Sequence, residues 1–336
     1  MRTASLCLPA TLATLKVGDR EEPKVQPGLV KVRWRASTLN FHDYVVVTGG
    51  LPSADGRIPM SDGAGEVVAV GDGVTQWQAG DRVISVFFPN WQDGAPTLDK
   101  TLLMTGDSTD GCATQYSLVA PSALTAMPEH LSFAEAATLP CAALTSWRAL
   151  VVECAIKPGD RVLVQGSGGM SLFALQFARL AGAEIFATSS SPEKLERLRA
   201  LGAHHLIDYR RDPQWGETVR RLSDGGVDHV VDVGGASTLT QSLKAARVGA
   251  NIVMVGVLGG LEAPLQIGKL IAKQPRLLPI AVGSREMQLA MCRSIAVSGL
   301  RPVLDRTFAL SDLAEAFRYQ ESGRHFGKIV VDLDVG

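Results

Sequence analysis

Val162-Leu-Val-Gln-Gly166-Ser-Gly168-Gly169-Met170-Ser171 is the stretch on which the fold turns. An apolar run enters a glycine turn and the amphipathic segment Leu172–Leu180 follows, so the reading is strand, turn, helix. A glycine at 166 permits the tight turn. Glycines at 168 and 169 let a pyrophosphate approach backbone N–H groups at a helix N-terminus, where the dipole favours anions. Ser171 stands where the full fingerprint has its third glycine, so the motif draws its weight from the strand–turn–helix setting. Gly166, Gly168, Gly169 and Met170 are assigned to a dinucleotide phosphate.

Outward from this turn, β-branched runs alternate with helical periodicity from about Lys157 to about Pro279, the pattern of a doubly wound parallel sheet. Strands are expected at Arg161–Gln165, Glu184–Thr188, His205–Ile207, His229–Val233, Asn251–Val255 and Leu277–Ala281. Residues 28–120 hold short strands and glycine turns of an antiparallel, barrel-like kind, at Gly28–Ala36, Gly65–Val70, Asp81–Val86 and Ala113–Ala120. Thr307–Leu310, Asp312–Glu321 and Lys328–Leu333 return to that first domain. The fold class is therefore α/β, a Rossmann domain plus a mostly antiparallel β-barrel domain, with boundaries at 1–124, 125–297 and 298–336. Residues 90–111 read as a long surface loop or lid.

The second Rossmann strand ends in Ser189-Ser190-Ser191, without the carboxylate that binds a ribose 2′-hydroxyl in NAD sites. Serine hydroxyls, Lys194, Tyr209 and Arg210 can instead donate to a 2′-phosphate, which favours NADP(H) over NAD(H). Ser191-Pro192-Glu193 is also a helix start, with Ser191 as cap and Lys194 in the first turn, and both readings fit one turn. Gly234-Gly235 and Val255-Gly256-Val257-Leu258 follow the fourth and fifth strands, at the carboxyl ends where an open sheet places its ligand. Gly234, Val255, Gly256 and Leu258 are expected near the nicotinamide half, ordinary turn chemistry being the alternative.

Bulk properties narrow the partners. The 336 residues carry a net charge of -1 and no basic block, so the chain lacks the footprint of a nucleic-acid or membrane-surface binder, and small molecules are expected. Met1 to Leu15 do not read as an export signal, so none is expected, and there is no apolar run of the ~20 residues a membrane helix needs. The five scattered cysteines form no C-x-x-C pair, which fits a reducing, cytoplasmic setting.

Ala36-Ser-Thr-Leu-Asn40-Phe-His-Asp43, Asp62-Gly-Ala-Gly65-Glu66, Gly80-Asp81, Leu139-Pro-Cys141-Ala-Ala-Leu-Thr145, the Gly166 turn and His325-Phe-Gly-Lys328 together resemble the medium-chain dehydrogenase/reductase superfamily, in its quinone oxidoreductase-like, zinc-type alcohol dehydrogenase-like branch. The resemblance implies a GroES-like catalytic domain interrupted by the Rossmann domain, with the active site in the cleft between them. It implies Asn40 and Thr145 near the nicotinamide, Phe326 and Lys328 on the far side of the cofactor, and a homodimer joined near Leu277–Val282. Zinc-dependent relatives bind metal at positions that look like Asn40, Ala64 and Cys141 here, which leaves one ligand against the three a catalytic zinc requires. No metal is expected.

Without a Lewis acid, hydride addition to a conjugated acceptor is easier than reduction of a simple ketone, so an enone or quinone, with aldehydes as further candidates, becomes the expected substrate. Tyr44 is a candidate donor to the developing enolate, beside a packing role, with Asn40 and Thr145 as the other candidate catalytic residues. Cys141 reads as a small hydrophobe, Asp43 as a structural hydrogen-bond partner, and His42 is assigned no role. Two alternatives stand: an NAD(P)-dependent alcohol dehydrogenase, and a non-catalytic NADPH-binding sensor.

Overall fold

The computed structural model describes residues 1–335. The chain forms two compact units, Met1–Leu144 with Val282–Gly336, and Thr145–Ala281.

The second unit is built on a six-stranded sheet in the order His205–Asp208, Glu184–Ser189, Arg161–Gln165, Val227–Asp232, Ala246–Met254, Arg276–Pro279, with every pair parallel. In chain order this is 3-2-1-4-5-6, the doubly wound arrangement. Strands buried on both faces need unbroken apolar runs: Val162, Leu163, Val164, Ile185, Phe186, Val230, Val231, Ile252 and Val253 are all fully buried. Expected strand ends agree to within two residues except at 246–254, where pairing starts at Ala246, ahead of the apolar stretch.

The first unit holds a seven-stranded sheet. Its order is Leu304–Ala309, Lys328–Asp332, Val30–Thr38, Ala64–Val70, Arg82–Ser85, Leu124–Ala126, with Tyr116–Val119 paired to the first half of Val30–Thr38. Pairs are antiparallel except Leu304–Ala309 with Lys328–Asp332. Strand Val30–Thr38 alternates Val30, Val32 and Trp34 inward, and these join Val46, Val67, Val83, Phe317 and Val331 in one core.

This unit reaches further along the chain than the boundaries at 124 and 297 allow. Leu124–Ala126 pairs with Arg82–Ser85, and the capping box of Ser132 and Glu135 opens helix Phe133–Ala136. Helix Arg285–Ser298 also docks here, because Gln288 Nε2 donates to Ser85 O at 2.9 Å and to Thr125 Oγ1 at 2.7 Å. An amphipathic stripe shows that a helix has a buried face and leaves open which core covers it.

Residues 90–111 are only partly a surface loop. Leu98 and Leu102 are exposed, but Trp91 is fully buried, and Thr105 is tied to Phe87 O at 3.0 Å and Val86 O at 2.8 Å. Gly106 and Gly111 lie so close to Met60 that a Cβ on either would meet its backbone within 2.6 Å. Their polarity marks solvent on one side only.

Candidate functional site

In the Rossmann unit the glycine turn is formed as the sequence predicts. Gly166 has φ +76°, a region that favours glycine, and its N–H donates to Thr188 O at 2.8 Å. Helix Gly169–Leu180 begins after Gly168, which has no side chain to cap it, so the first backbone N–H donors are left for an anion. Ser171 keeps the turn in shape, its hydroxyl donating to Gln165 O at 2.7 Å. Met170 gives its carbonyl to Ser146 Oγ at 2.7 Å. This geometry fits a dinucleotide pyrophosphate.

The other expected nucleotide contacts gather at the same carboxyl edge. Tyr209 N donates to Ser189 O at 3.2 Å, and Lys194 lies in the first turn after Ser191, whose hydroxyl accepts from Lys194 N at 3.4 Å. Ser189 is buried, Ser190 and Lys194 are half-buried, and Tyr209 is exposed. At the next switch, Leu258 N donates to Val233 O at 3.3 Å and Val255 N to Asp232 O at 2.9 Å. Gly234 and Gly256 are tight positions: a Cβ on the first would lie 2.4 Å from Thr238 Cγ2 and on the second 2.5 Å from Val233 O.

Asp232 organises this turn. Its Oδ1 accepts the N–H groups of Gly234 at 3.0 Å and Gly235 at 2.9 Å and the Thr238 hydroxyl at 2.7 Å, while Ser242 donates to Oδ2 at 2.5 Å. Its place after Val-Val at a strand end was visible in the sequence, but the meaning of that place depends on the glycines that fold back onto it.

In the first unit a buried polar cluster surrounds Asn40. Asn40 is the N-cap of helix Phe41–Val47, and Asp43 closes the capping box from the third helical position. Asp62 is fully buried and accepts from Thr38 Oγ1 at 2.6 Å, Asn40 Nδ2 at 2.8 Å, Lys328 Nζ at 3.2 Å and Cys141 N at 3.0 Å. Lys328 is 3% exposed and turns inward, donating also to Asn40 Oδ1 at 2.6 Å and Leu39 O at 2.7 Å. Its three protons have three acceptors, so the ammonium serves this cluster. Burial, and secondly the Asp62 charge, push the Cys141 thiol well above its usual range. Burial likewise raises the Asp43 carboxyl, against the opposing pull of His42.

The remaining expected residues are dispersed. Thr145 is buried in the second unit, at its first residue. Phe326 is a core residue, 1% exposed, with its N–H on Asp305 Oδ1 at 3.1 Å. Tyr44 points away from the Asn40 cluster: its hydroxyl donates to the exposed Glu321 carboxylate at 2.9 Å. Ala64 is buried in strand Ala64–Val70, and the side chains of that stretch that meet the Asn40 amide are Asp62, at 2.8 Å from Nδ2, and the preceding Ser61, at 3.3 Å.

The donor set does not fit a catalytic zinc. The Asn40 amide oxygen and one Asp62 oxygen already accept from an ammonium, Ser61 is a hydroxyl, and the Cys141 thiol resists ionisation. A divalent ion would have to share this space with the Lys328 charge and would find no set of three open ligands. Among the described residues no group of three His, Cys, Asp or Glu side chains is placed to hold a metal ion.

A parallel sheet with a glycine turn at its carboxyl edge, joined in one chain to a GroES-like barrel, defines an oxidoreductase of the nicotinamide-dinucleotide class. Comparison with known proteins agrees. A model described as an alcohol dehydrogenase GroES-like domain matches residues 26–129, and one described as a zinc-binding dehydrogenase matches residues 169–296. A zinc-type alcohol dehydrogenase-like protein of Schizosaccharomyces pombe is 41% identical over 95% of this chain and 95% of its own. A crystal structure of a putative alcohol dehydrogenase from Sinorhizobium meliloti 1021 superposes with a TM-score of 0.92 at 39% identity, covering 98% of each chain. One of an NAD-dependent alcohol dehydrogenase superposes at 0.91 with 32% identity over all of both chains. The chain belongs to the medium-chain dehydrogenase/reductase superfamily.

Proposed function

We propose that this chain is an NADPH-dependent reductase that delivers hydride to a conjugated acceptor, a quinone or an α,β-unsaturated carbonyl, without a metal ion. The observation that carries the reading is the Lys328 ammonium buried between Asp62 and Asn40, the residue at one of the positions that the resemblance assigns to a metal ligand in zinc-dependent relatives. A conjugated acceptor needs no Lewis acid, because the charge that hydride addition creates is already spread onto an oxygen.

Bound NADPH supplies the hydride. The Gly166–Met170 turn receives the pyrophosphate, and Ser189, Ser190, Lys194 and Tyr209 surround the adenosine ribose. Lys194 and the serine hydroxyls suit a 2′-phosphate. The nearest strand-end carboxylate, Asp208, is already engaged by Arg210 N at 3.0 Å and Arg211 at 3.5 Å. Gly234, Val255, Gly256 and Leu258 shape the nicotinamide end. The family resemblance assigns Asn40, Thr145, Phe326 and Lys328 to the nicotinamide half of the cofactor as well. Dimerisation near Leu277–Val282 fits the same reading, since strand Arg276–Pro279 pairs on one side only. Among the described residues no helix is long and apolar enough to cross a membrane.

The test is a cofactor and acceptor screen: oxidation of NADPH and of NADH, each against quinones, enones, aldehydes and, in reverse, alcohols. NADPH-preferring turnover of the conjugated acceptors is expected. Alcohol oxidation with NAD as the dominant activity would replace this reading with a dehydrogenase, and cofactor binding without turnover would replace it with a sensor.

A further inference from the structure

Within the Rossmann unit, the chain makes a long excursion between strands Ala246–Met254 and Arg276–Pro279, and residues 257–272 of it are almost entirely exposed. Leu261 is 84% exposed, Ile271 69% and Ile267 60%, and helix Ile267–Lys273, which closes the excursion, has no buried residue. A two-turn helix without a buried face is not held in place by its own propensity. Its attachment comes from two other points.

The far point is Lys273. Its Nζ donates to Leu243 O at 2.7 Å, Lys244 O at 2.8 Å and Ala246 O at 2.6 Å, so all three ammonium protons have acceptors. These carbonyls lie at and just past the end of helix Leu239–Ala245, where the last carbonyls lack partners within the helix and its dipole favours a cation. Burial first and Arg220 second lower this ammonium to about 8 against the pull of Glu217, so it remains charged at neutral pH. Gln274 follows with φ +46°, a left-handed conformation uncommon for a residue with a side chain, and its N–H ends the helix on Leu270 O at 2.7 Å.

The near point is a pair of glycines. Gly259 N donates to Gly234 O at 2.8 Å, and Gly260 O accepts from Ala236 N at 3.2 Å. A Cβ at Gly259 would collide with Ser237 Oγ, and Gly260 has φ +121°. Between the two points, among the described residues, no hydrogen bond or ion pair joins residues 261–268 to the rest of the chain.

Both points belong to one circuit. Asp232 binds the N–H groups of Gly234 and Gly235 and the hydroxyls of Thr238 and Ser242, which fixes the start of helix Leu239–Ala245. Lys273 binds the end of that same helix. Residues 259–273 then run between the glycine turn at its start and the carbonyls at its end.

We propose that residues 261–272 form a strap closed by Lys273, and that this closure holds the Gly234–Gly235 turn in the form that receives the nicotinamide half of the cofactor. Lys273 is a positioning residue that acts through helix Leu239–Ala245 and the strap. Its relevance to the cofactor rests on reading Gly234, Val255, Gly256 and Leu258 as the nicotinamide end. Coupling of this kind is reciprocal, so a nucleotide that orders the turn also tightens the strap.

The experiment follows hydrogen exchange and nucleotide binding in the full-length protein and in Lys273→Met. The control is Arg161→Met, which removes a guanidinium from the Ser223 carbonyl at the end of helix Trp215–Leu222 instead. Lys273→Met should speed exchange about tenfold or more, in helix Ile267–Lys273 and in residues 234–238 together, the factor one charge-assisted hydrogen bond supplies. It should weaken NADPH binding about tenfold and leave unchanged that of 2′,5′-ADP, which lacks the nicotinamide half. Arg161→Met should do neither. In the wild type, which decides the matter should Lys273→Met fail to fold, NADPH should slow exchange in helix Ile267–Lys273 and 2′,5′-ADP should not. A folded Lys273→Met with helix and turn protected as in the wild type, or with only the helix loosened, would overturn the strap. So would equal losses for the two nucleotides, or a wild-type helix whose exchange NADPH leaves unchanged. If the wild type binds neither NADPH nor NADH, the cofactor reading fails instead, and exchange in Lys273→Met alone decides on the strap.

Discussion

Lys328 Nζ lies 2.6 Å from Asn40 Oδ1 and 3.2 Å from Asp62 Oδ2, joining parts of the chain 288 and 266 residues apart. Both charges are out of water, at 4% and 0% side-chain exposure, so neither tolerates loss of its partner. Lys328→Met should destabilise the protein by about 3–5 kcal/mol, the cost of leaving a buried carboxylate unpaired. Adding Asp62→Asn to it should recover part of that loss, since residues in one network are not additive. Urea unfolding of the wild type and the two variants measures both quantities; a Lys328→Met protein as stable as the wild type would show that the ammonium is not needed by the cluster.

Lys194→Ala should weaken NADPH binding roughly tenfold or more and leave NADH nearly unchanged, because a charge-assisted hydrogen bond to a phosphate is worth about 1.5–3 kcal/mol. Titration of both nucleotides by fluorescence gives the ratio. Equal losses for the two would place Lys194 away from the 2′-phosphate.

Asp232→Ala removes the acceptor for the N–H groups of Gly234 and Gly235 at once. Stability should fall by about 1–3 kcal/mol for the buried donors left unsatisfied, and nucleotide affinity should fall with it as the turn loosens. Calorimetric unfolding with and without NADPH separates the two effects.

Asp228 offers a check on pH. Burial alone would raise its carboxyl, but the Arg161 N–H at 2.8 Å and the Arg247 guanidinium at 2.5 Å outweigh burial and lower it. A carboxylate with a lowered folded value stabilises the protein above its unfolded value of about 4 and loses that contribution as pH falls through the folded one. Asp228→Asn should therefore be less stable than the wild type at neutral pH, with the gap closing in acid. A gap that stays constant from neutral pH into acid would mean that the carboxylate charge contributes nothing.

Much of this architecture is legible in the residues, because it rests on local chemistry. Apolar runs such as Val162–Val164 and Val230–Val231 mark buried parallel strands, and Gly166 with φ +76° marks the turn that follows. The edges of the units were not legible, since Leu124–Ala126 and helix Arg285–Ser298 carry an ordinary apolar pattern that either core would accept. The direction of long polar side chains was also hidden. Lys328 reads as a reach toward cofactor, whereas its acceptors are supplied by Leu39, Asn40 and Asp62, far away in sequence. Tyr44 reads as a candidate acid until Glu321 takes its hydroxyl.

Whether conjugated acceptors are reduced without metal is decided by the zinc content of purified protein set beside its NADPH-dependent enone or quinone reductase activity, before and after exhaustive dialysis against chelator. Far less than one zinc per chain is expected, with activity unchanged by the chelator. Stoichiometric zinc, with activity lost on its removal and restored on its return, would contradict it.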